Sequence, residues 1–267
     1  MAAPPRVMAA YSVRALCRRL LRLLPDHVIN RVATALGRIA SPSVGSVNWG
    51  DLRRVTPIDG NFGFGRGTPV DRYYIEAFLE QYASDISGRA LEIGDDAYCR
   101  RFGAGRVSRQ DIFHISPSAN GVTIVGDLSQ SGSLPPSAFD CMVLTQTLHL
   151  IYDLESAVSE IYRALKPGGV ALVTVPGISP VDRGEWGASW YWSLTDQAVR
   201  RLFQKDFGME NITVNAVGNV YAATAFLQGL ALEEVDRQML RLIDTAFPLV
   251  VTVRARRPSA AHSEEIH

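Results

Sequence analysis

An α/β fold, a doubly wound and mostly parallel sheet of about seven strands, is what this sequence predicts, and three observations predict it. From residue 88 onward, short apolar runs alternate with stretches of helical periodicity, as strands joined by crossover helices do. Several runs are apolar nearly throughout, which fits strands covered on both faces. The chain has 267 residues, 47% of them hydrophobic, enough for one large domain with an appendage and a sizeable core.

Composition narrows the class. The 27 basic and 27 acidic residues leave no net charge, so no global basic field points to a nucleic-acid partner. Cys17, Cys99 and Cys141 are odd in number and far apart. They make neither a disulfide framework nor a metal cluster, so no metal site is expected. A reducing, cytoplasmic setting follows. No stretch near the start combines an apolar core with a small-residue cleavage site, so no secretory signal is expected. The charge-free run 212–232 contains Asn215, Gly218, Asn219, Gln228 and Gly229; it reads as a strand followed by a helix, not as a membrane span.

Charge is nonetheless unevenly placed. Residues 1–57 hold nine arginines against Asp26 and Asp51. At 100° per residue, Leu16, Cys17, Leu20, Leu21 and Leu24 fill one arc of a helix over 9–24, with Arg14, Arg18, Arg19 and Arg22 opposite. Pro25 closes it, and Asp26 caps a second helix carrying Val28, Ile29, Val32, Leu36 and Ile39. Three readings stand: residues 9–40 rest on an anionic membrane (peripherally, at its inner face) or on a partner protein; the leucine stripe packs on the chain's own domain; or the arm is a transit peptide. The expected organisation is a basic amphipathic helical arm over 1–45, a glycine and aromatic lead segment with the first helix over 46–87, a Rossmann-like domain over 88–257, and a disordered tail over 258–267. Oligomeric state is open.

In chain order, the lead segment Asn61-Phe62-Gly63-Phe64-Gly65-Arg66-Gly67 opens a helix with Ile75, Phe78 and Leu79. Strands are expected at 90–94, 111–115, 122–125 and 139–145. Asp153 then caps a helix whose Leu154, Ala157, Val158, Ile161, Tyr162 and Leu165 recur at helical spacing. Lys166-Pro167-Gly168-Gly169 stops it, since proline cannot continue a helix and glycine takes the left-handed turn. A strand at 170–175 follows, then a helix from Ser193 or Thr195 carrying Val199, Leu202 and Phe203, then strands at 212–214 and 249–253. Ligands of such sheets bind beyond the carboxyl ends of the strands. The loops after Gly94, Asp127 and Thr145 are therefore the candidate site. Glu92, one residue inside its strand, needs donors from a backbone turn or a ligand if buried.

Four segments carry a resemblance: Leu91-Glu92-Ile93-Gly94, Gly126-Asp127-Leu128, the run 139–153, and the run from Ala164 through Pro176. Together they resemble class I S-adenosylmethionine-dependent methyltransferases over roughly 88–255. The lead segment is similar to one found on a bacterial subset often encoded among sugar-assembly genes. The resemblance implies S-adenosyl-L-methionine as cofactor, with Glu92 and Gly94 near its methionyl part, and Asp127 with Leu128 at the adenine amino group. It places Thr145, Gln146 and Thr147 between cofactor and substrate, and makes Asp140 structural. Arg66 or Arg72 would meet the cofactor carboxylate. Two departures stand out. Gly94 is followed by Asp95, Asp96, Ala97 and Tyr98 rather than by further glycines, and no acid ends the second strand to hold the ribose hydroxyls.

For methyl transfer the enzyme aligns the nucleophile and, for a hydroxyl, removes its proton. His149, just past the fourth strand, suits a general base, with Asp182 and Glu185 as further candidates. Trp186, Trp190, Tyr191 and Trp192 supply aromatic faces for a substrate wall. The reading is an O-methyltransferase acting on a small-molecule acceptor such as a saccharide, glycolipid precursor or natural product. The alternative is a catalytically inactive scaffold that keeps the fold and docks through its arm.

Overall fold

The structure is a computed structural model and describes residues 42–259. It divides into two units, Met1–Arg54 and Val55–His267. In the first, the described stretch carries a short 3-10 turn, Gly50–Leu52. The helices expected within 9–40 lie outside the described residues, as does the expected tail beyond residue 259.

The second unit contains seven strands: β1 Gly88–Ile93, β2 Val107–His114, β3 Ile124–Val125, β4 Phe139–Thr145, β5 Leu165–Pro176, β6 Ile212–Val217 and β7 Val250–Arg256. Its helices are α1 Asp71–Gln81, α2 Ala97–Gly103, α3 Leu154–Ala164, α4 Asp196–Phe207, α5 Val220–Leu227 and α6 Arg237–Leu240. The sheet runs β3-β2-β1-β4-β5-β7-β6. β7 is antiparallel to both neighbours, and the other pairings are parallel.

Alternation along the strands sorts the core into two layers, because successive side chains point to opposite faces. Leu91, Met142, Leu144 and Val173 pack with α3 and α4 residues such as Val158, Ile161 and Phe203. Ala90, Cys141, Val143 and Leu172 pack with Ile75, Phe78 and Leu79 of α1 and Phe226 of α5. Cys99 and Cys141 are buried free thiols.

Boundaries show where local sequence and tertiary context part. β2 begins at Val107, four residues before the expected start. Its first half, Ser108-Arg109-Gln110, is polar and largely exposed near the sheet edge, so hydrophobicity alone does not mark it. Of Ser193 and Thr195, it is Thr195 that caps α4, accepting from Ala198 N at 3.2 Å. Asp153 caps α3 through Ser156 N at 3.0 Å. The Lys-Pro-Gly-Gly run is not a free loop. It lies within β5, where Gly168 takes φ +82° and donates to Arg257 O at 2.8 Å, while Arg257 N donates to Gly169 O. A Cβ on Gly169 would sit 2.9 Å from both Lys166 O and Phe139 O. The glycines thus permit the bulge at which β4 and β5 change register. α2 and the short α6 are not marked by the sequence pattern. No helix among the described residues is long and apolar enough to cross a membrane.

Candidate active site

β1 is the strand at which the order reverses, with β2 on one side and β4 on the other. A cavity of about 560 Å³ opens beyond the carboxyl ends of these strands, within the usual size of small-molecule sites. Gly94 leaves β1 at φ +88° and lines it. The next residues turn inward on themselves. Asp95 accepts from Ala97 N at 2.8 Å, and the Glu92 carboxylate accepts from Tyr98 N at 3.1 Å and Cys99 N at 2.7 Å. The free donors at the start of α2, which would favour an anion, are therefore taken by the chain's own acids. Glu92 is buried beneath the loop and does not line the cavity; burial pushes its pKa up to about 7 against those two N–H donors. Its expected place beside a cofactor is corrected to that of an acid tying down its own loop.

β2 ends in His114, which lines the cavity. Its Nδ1 accepts from Ser116 N at 2.9 Å. An expected strand end at 115 leaves this imidazole one residue inside the strand, where the sequence alone does not mark it. After β3, Gly126, Asp127 and Leu128 all line the cavity. Ser129 N and Ser129 Oγ both donate, at 2.8 Å, to Asp127 Oδ1, leaving Oδ2 outside this turn. Glu160 of α3 holds the same loop by accepting from Gly132 N at 3.1 Å and Leu134 N at 2.7 Å.

Thr145, Gln146 and Thr147 line the cavity beyond β4. Gln146 sits at φ +49°, held by its N–H on Thr174 O at 2.9 Å. His149 follows on the 3-10 turn Leu148–Leu150. It is buried, neither ring nitrogen has a partner, and burial pushes its pKa down to about 4. Its backbone carbonyl accepts from Tyr191 N and Trp192 N at 3.1 and 3.3 Å, which pins the aromatic segment over this turn.

That pinning divides the four aromatic residues. Trp186 and Trp190 line the cavity. Trp190 meets His149 edge to face at 4.3 Å and stacks on Phe62 at 5.7 Å. Tyr191 points outward against Tyr152, and the Trp192 indole donates to Ile151 O at 3.0 Å; neither reaches the cavity. Asp182 and Glu185 are corrected likewise. The Asp182 carboxylate accepts from Trp186 N at 2.8 Å as a turn cap, and Glu185 is exposed; neither lines the cavity.

The lead segment, through Phe62 and Phe64, and the start of α1, through Asp71 and Arg72, form the far wall. It is fastened to the stretch after α5: Arg66 pairs with Glu234, Thr68 N donates to Glu233 at 3.0 Å, and Pro69 bridges to Ala231. Arg66 is thus committed elsewhere, and Arg72 is the arginine at the cavity. Its neighbour Asp71 went unmarked in the sequence. Asp71 Oδ2 meets Arg72 Nη1 at 3.2 Å, Oδ1 is buried without a partner, and burial raises the carboxyl's pKa. Only burial distinguishes this acid from any other at a helix start. Asp140 is structural as expected, accepting from Arg89 N at 2.8 Å and Lys166 Nζ at 2.7 Å. Among the described residues no group of His, Cys, Asp and Glu could hold a metal.

Residues 61–173 match the family model described as a methyltransferase domain. Among curated proteins, probable polyketide synthase 10 of Dictyostelium discoideum is 28% identical over 95 residues, 33% of this chain and 4% of that protein. Probable polyketide synthase 7 of the same organism is 27% identical over 82 residues, 30% of this chain and 3% of that one. The chain thus matches only a few percent of the length of these curated relatives. Similar solved structures include phosphoethanolamine N-methyltransferase 2 of Haemonchus contortus in complex with S-adenosyl-L-methionine, at 18% identity and TM-score 0.47, covering 70% of this chain and 53% of that one. N-methyltransferase NodS of Bradyrhizobium japonicum in complex with S-adenosyl-L-homocysteine is 14% identical with TM-score 0.48, covering 76% and 95%. The matched region starts in the lead segment and ends inside β5, so it contains the loops after β1 to β4 but neither the aromatic segment nor Phe226, Leu249 and Val250, which also line the cavity. Residues 61–173 are thus similar to the methyltransferase-domain family, on a seven-stranded sheet completed by the antiparallel β7.

Proposed function

We propose that this chain binds S-adenosylmethionine over the carboxyl ends of β1 to β4 and methylates a hydroxyl of a small molecule, a saccharide, glycolipid precursor or natural product. One observation carries the reading: buried polar atoms of Asp71, His149 and Trp190 lack partners, and all three residues line the same cavity. Buried polar atoms are normally paired, so these fit a site that a polar ligand completes.

The residues suit the cofactor. Asp127 Oδ2 would accept from the adenine amino group beside Leu128. Arg72 would meet the carboxylate, and the unpartnered Asp71 Oδ1 the ammonium, of the amino-acid end. His114, at the end of β2, would meet the ribose. When bound, the cofactor supplies an electrophilic methyl group. Thr145, Gln146 and Thr147 separate its place from the acceptor side, where His149 takes the hydroxyl proton. The names of the curated relatives, polyketide synthases, lean toward the natural-product end of the acceptor range.

A scaffold without activity is the second reading, favoured by the self-capped start of α2, which leaves no open anion site after β1. Calorimetric titration with S-adenosylhomocysteine separates the two. Micromolar binding that Asp127→Ala weakens about tenfold, one lost hydrogen bond, supports the enzyme. No binding up to millimolar concentration supports the scaffold.

A further inference from the structure

Among the described residues, the buried side-chain polar atoms without partners are Asp71 Oδ1, both ring nitrogens of His149, Trp190 Nε1 and Gln228 Oε1. All but the last belong to residues lining the cavity. Leaving a buried polar atom without a hydrogen bond is costly, so those at the cavity mark places for ligand groups. Asp71 goes with the cofactor's amino-acid end. His149 and Trp190 remain, and their rings touch, with 4.3 Å between centroids.

We propose that Trp190 and His149 form a two-point subsite for the hydroxyl of a flat, apolar acceptor, a phenol or an enol. This rests on the reading that methyl transfer takes place in the cavity. An indole N–H only donates, whereas a neutral imidazole also offers an acceptor lone pair. A hydroxyl carries one proton and two lone pairs. It accepts from Trp190 Nε1 with one lone pair, points its proton at a His149 nitrogen, and keeps the second lone pair for attack. An ammonium has no lone pair for the indole, and a carboxylate has no proton for the imidazole. A neutral amine has a single lone pair, and the indole would occupy it.

In the transfer the hydroxyl oxygen bonds to the methyl carbon. The carbon–sulfur bond breaks with its electron pair left on sulfur, and the hydroxyl proton passes to the imidazole. The positive charge so moves from sulfur to His149. Burial holds the ring neutral before reaction, and so weak a base takes the proton of an acidic hydroxyl far more readily than that of an alkyl alcohol.

The surrounding wall decides the shape of the acceptor. Phe62 lies nearly parallel to Trp190, 10° between planes, and Phe226 leans on Phe62 at 5.9 Å. Leu150 and Ile151 continue the apolar lining. A sugar would bring several hydroxyls here, each needing a partner when buried, and this wall offers rings instead.

The test uses the full chain saturated with S-adenosylhomocysteine and four probes, naphthol, naphthylamine, naphthalene and methyl glucoside, titrated into the wild type and Trp190→Phe at neutral pH. Phenylalanine keeps a ring against Phe62 and removes the N–H. Naphthol is expected to bind about tenfold more tightly than naphthalene or naphthylamine, with Trp190→Phe erasing most of that margin, read against naphthalene titrated into the same variant. Equal binding of naphthol and naphthalene by the wild type overturns the subsite without recourse to any variant. So does an unchanged margin in Trp190→Phe, preference for the glucoside, or no naphthyl binding at all. Failure of S-adenosylhomocysteine itself to bind would overturn the methyltransferase reading instead, so the two failures are told apart.

Discussion

Gly88 shows how a single residue can be required by geometry alone. It holds φ +63°, and a Cβ there would lie 2.4 Å from Asp140 Oδ2, the oxygen that accepts from Arg89 N and Lys166 Nζ. Gly88→Ala should cost about 1–3 kcal/mol, read as a lower urea midpoint with an unchanged m-value; an unchanged midpoint would show that the β1 start relaxes freely. Two buried titratable residues make a paired prediction. Glu92 has its folded pKa raised by burial from 4.5 to about 7, so its contribution is present below 4.5 and is lost as pH rises through 7. His149 has its folded pKa lowered by burial from 6.5 to about 4, so its contribution is present above 6.5 and is lost as pH falls through 4. Over the shared window the two oppose each other. Compared with the wild type, Glu92→Gln should lose stability on acidification across that window, and His149→Phe should gain it, each by about 3 °C in Tm per kcal/mol. Parallel Tm profiles for all three proteins would refute the assignment.

At the scale of elements, α3 does more than cover the sheet. Its Glu160 accepts from Gly132 N, Leu134 N and Arg163, tying the loop that carries Asp127 to the helix. Although burial opposes the charge, the Arg163 guanidinium and these N–H groups hold this carboxyl below the ordinary range. Glu160→Ala should therefore destabilise by about 3 kcal/mol and also weaken S-adenosylhomocysteine. A stability loss with unaltered ligand affinity would mean that the loop keeps its shape without α3. Element prediction followed the same physics. α3 was legible because its apolar positions recur with a cap at Asp153, whereas the exposed start of β2 and the seven-residue α2 carry too little periodicity to stand out.

For the molecule as a whole, a ligand that binds only the folded state stabilises it by about 2.7 kcal/mol at a hundred times its Kd. S-adenosylhomocysteine at that excess should raise Tm by roughly 5–10 °C, measured by calorimetry; a Tm that does not move would count against a formed cofactor site. The sequence by itself determined the α/β class, the seven strands and the loops after Gly94, Asp127 and Thr145, because apolar periodicity and capping residues act over neighbouring positions. It also marked His149, Trp186, Trp190 and Arg72, which the sheet brings to one end. Tertiary structure alone decided the rest. Asp71 and His114 line the cavity, Tyr191, Trp192, Asp182 and Glu185 fall outside it, and Glu92 turns to its own loop. The physical reason is that burial and hydrogen-bond partnership arise from segments far apart in the chain. The Phe62–Trp190–His149 wall joins residues from three such segments, and no local pattern encodes their meeting.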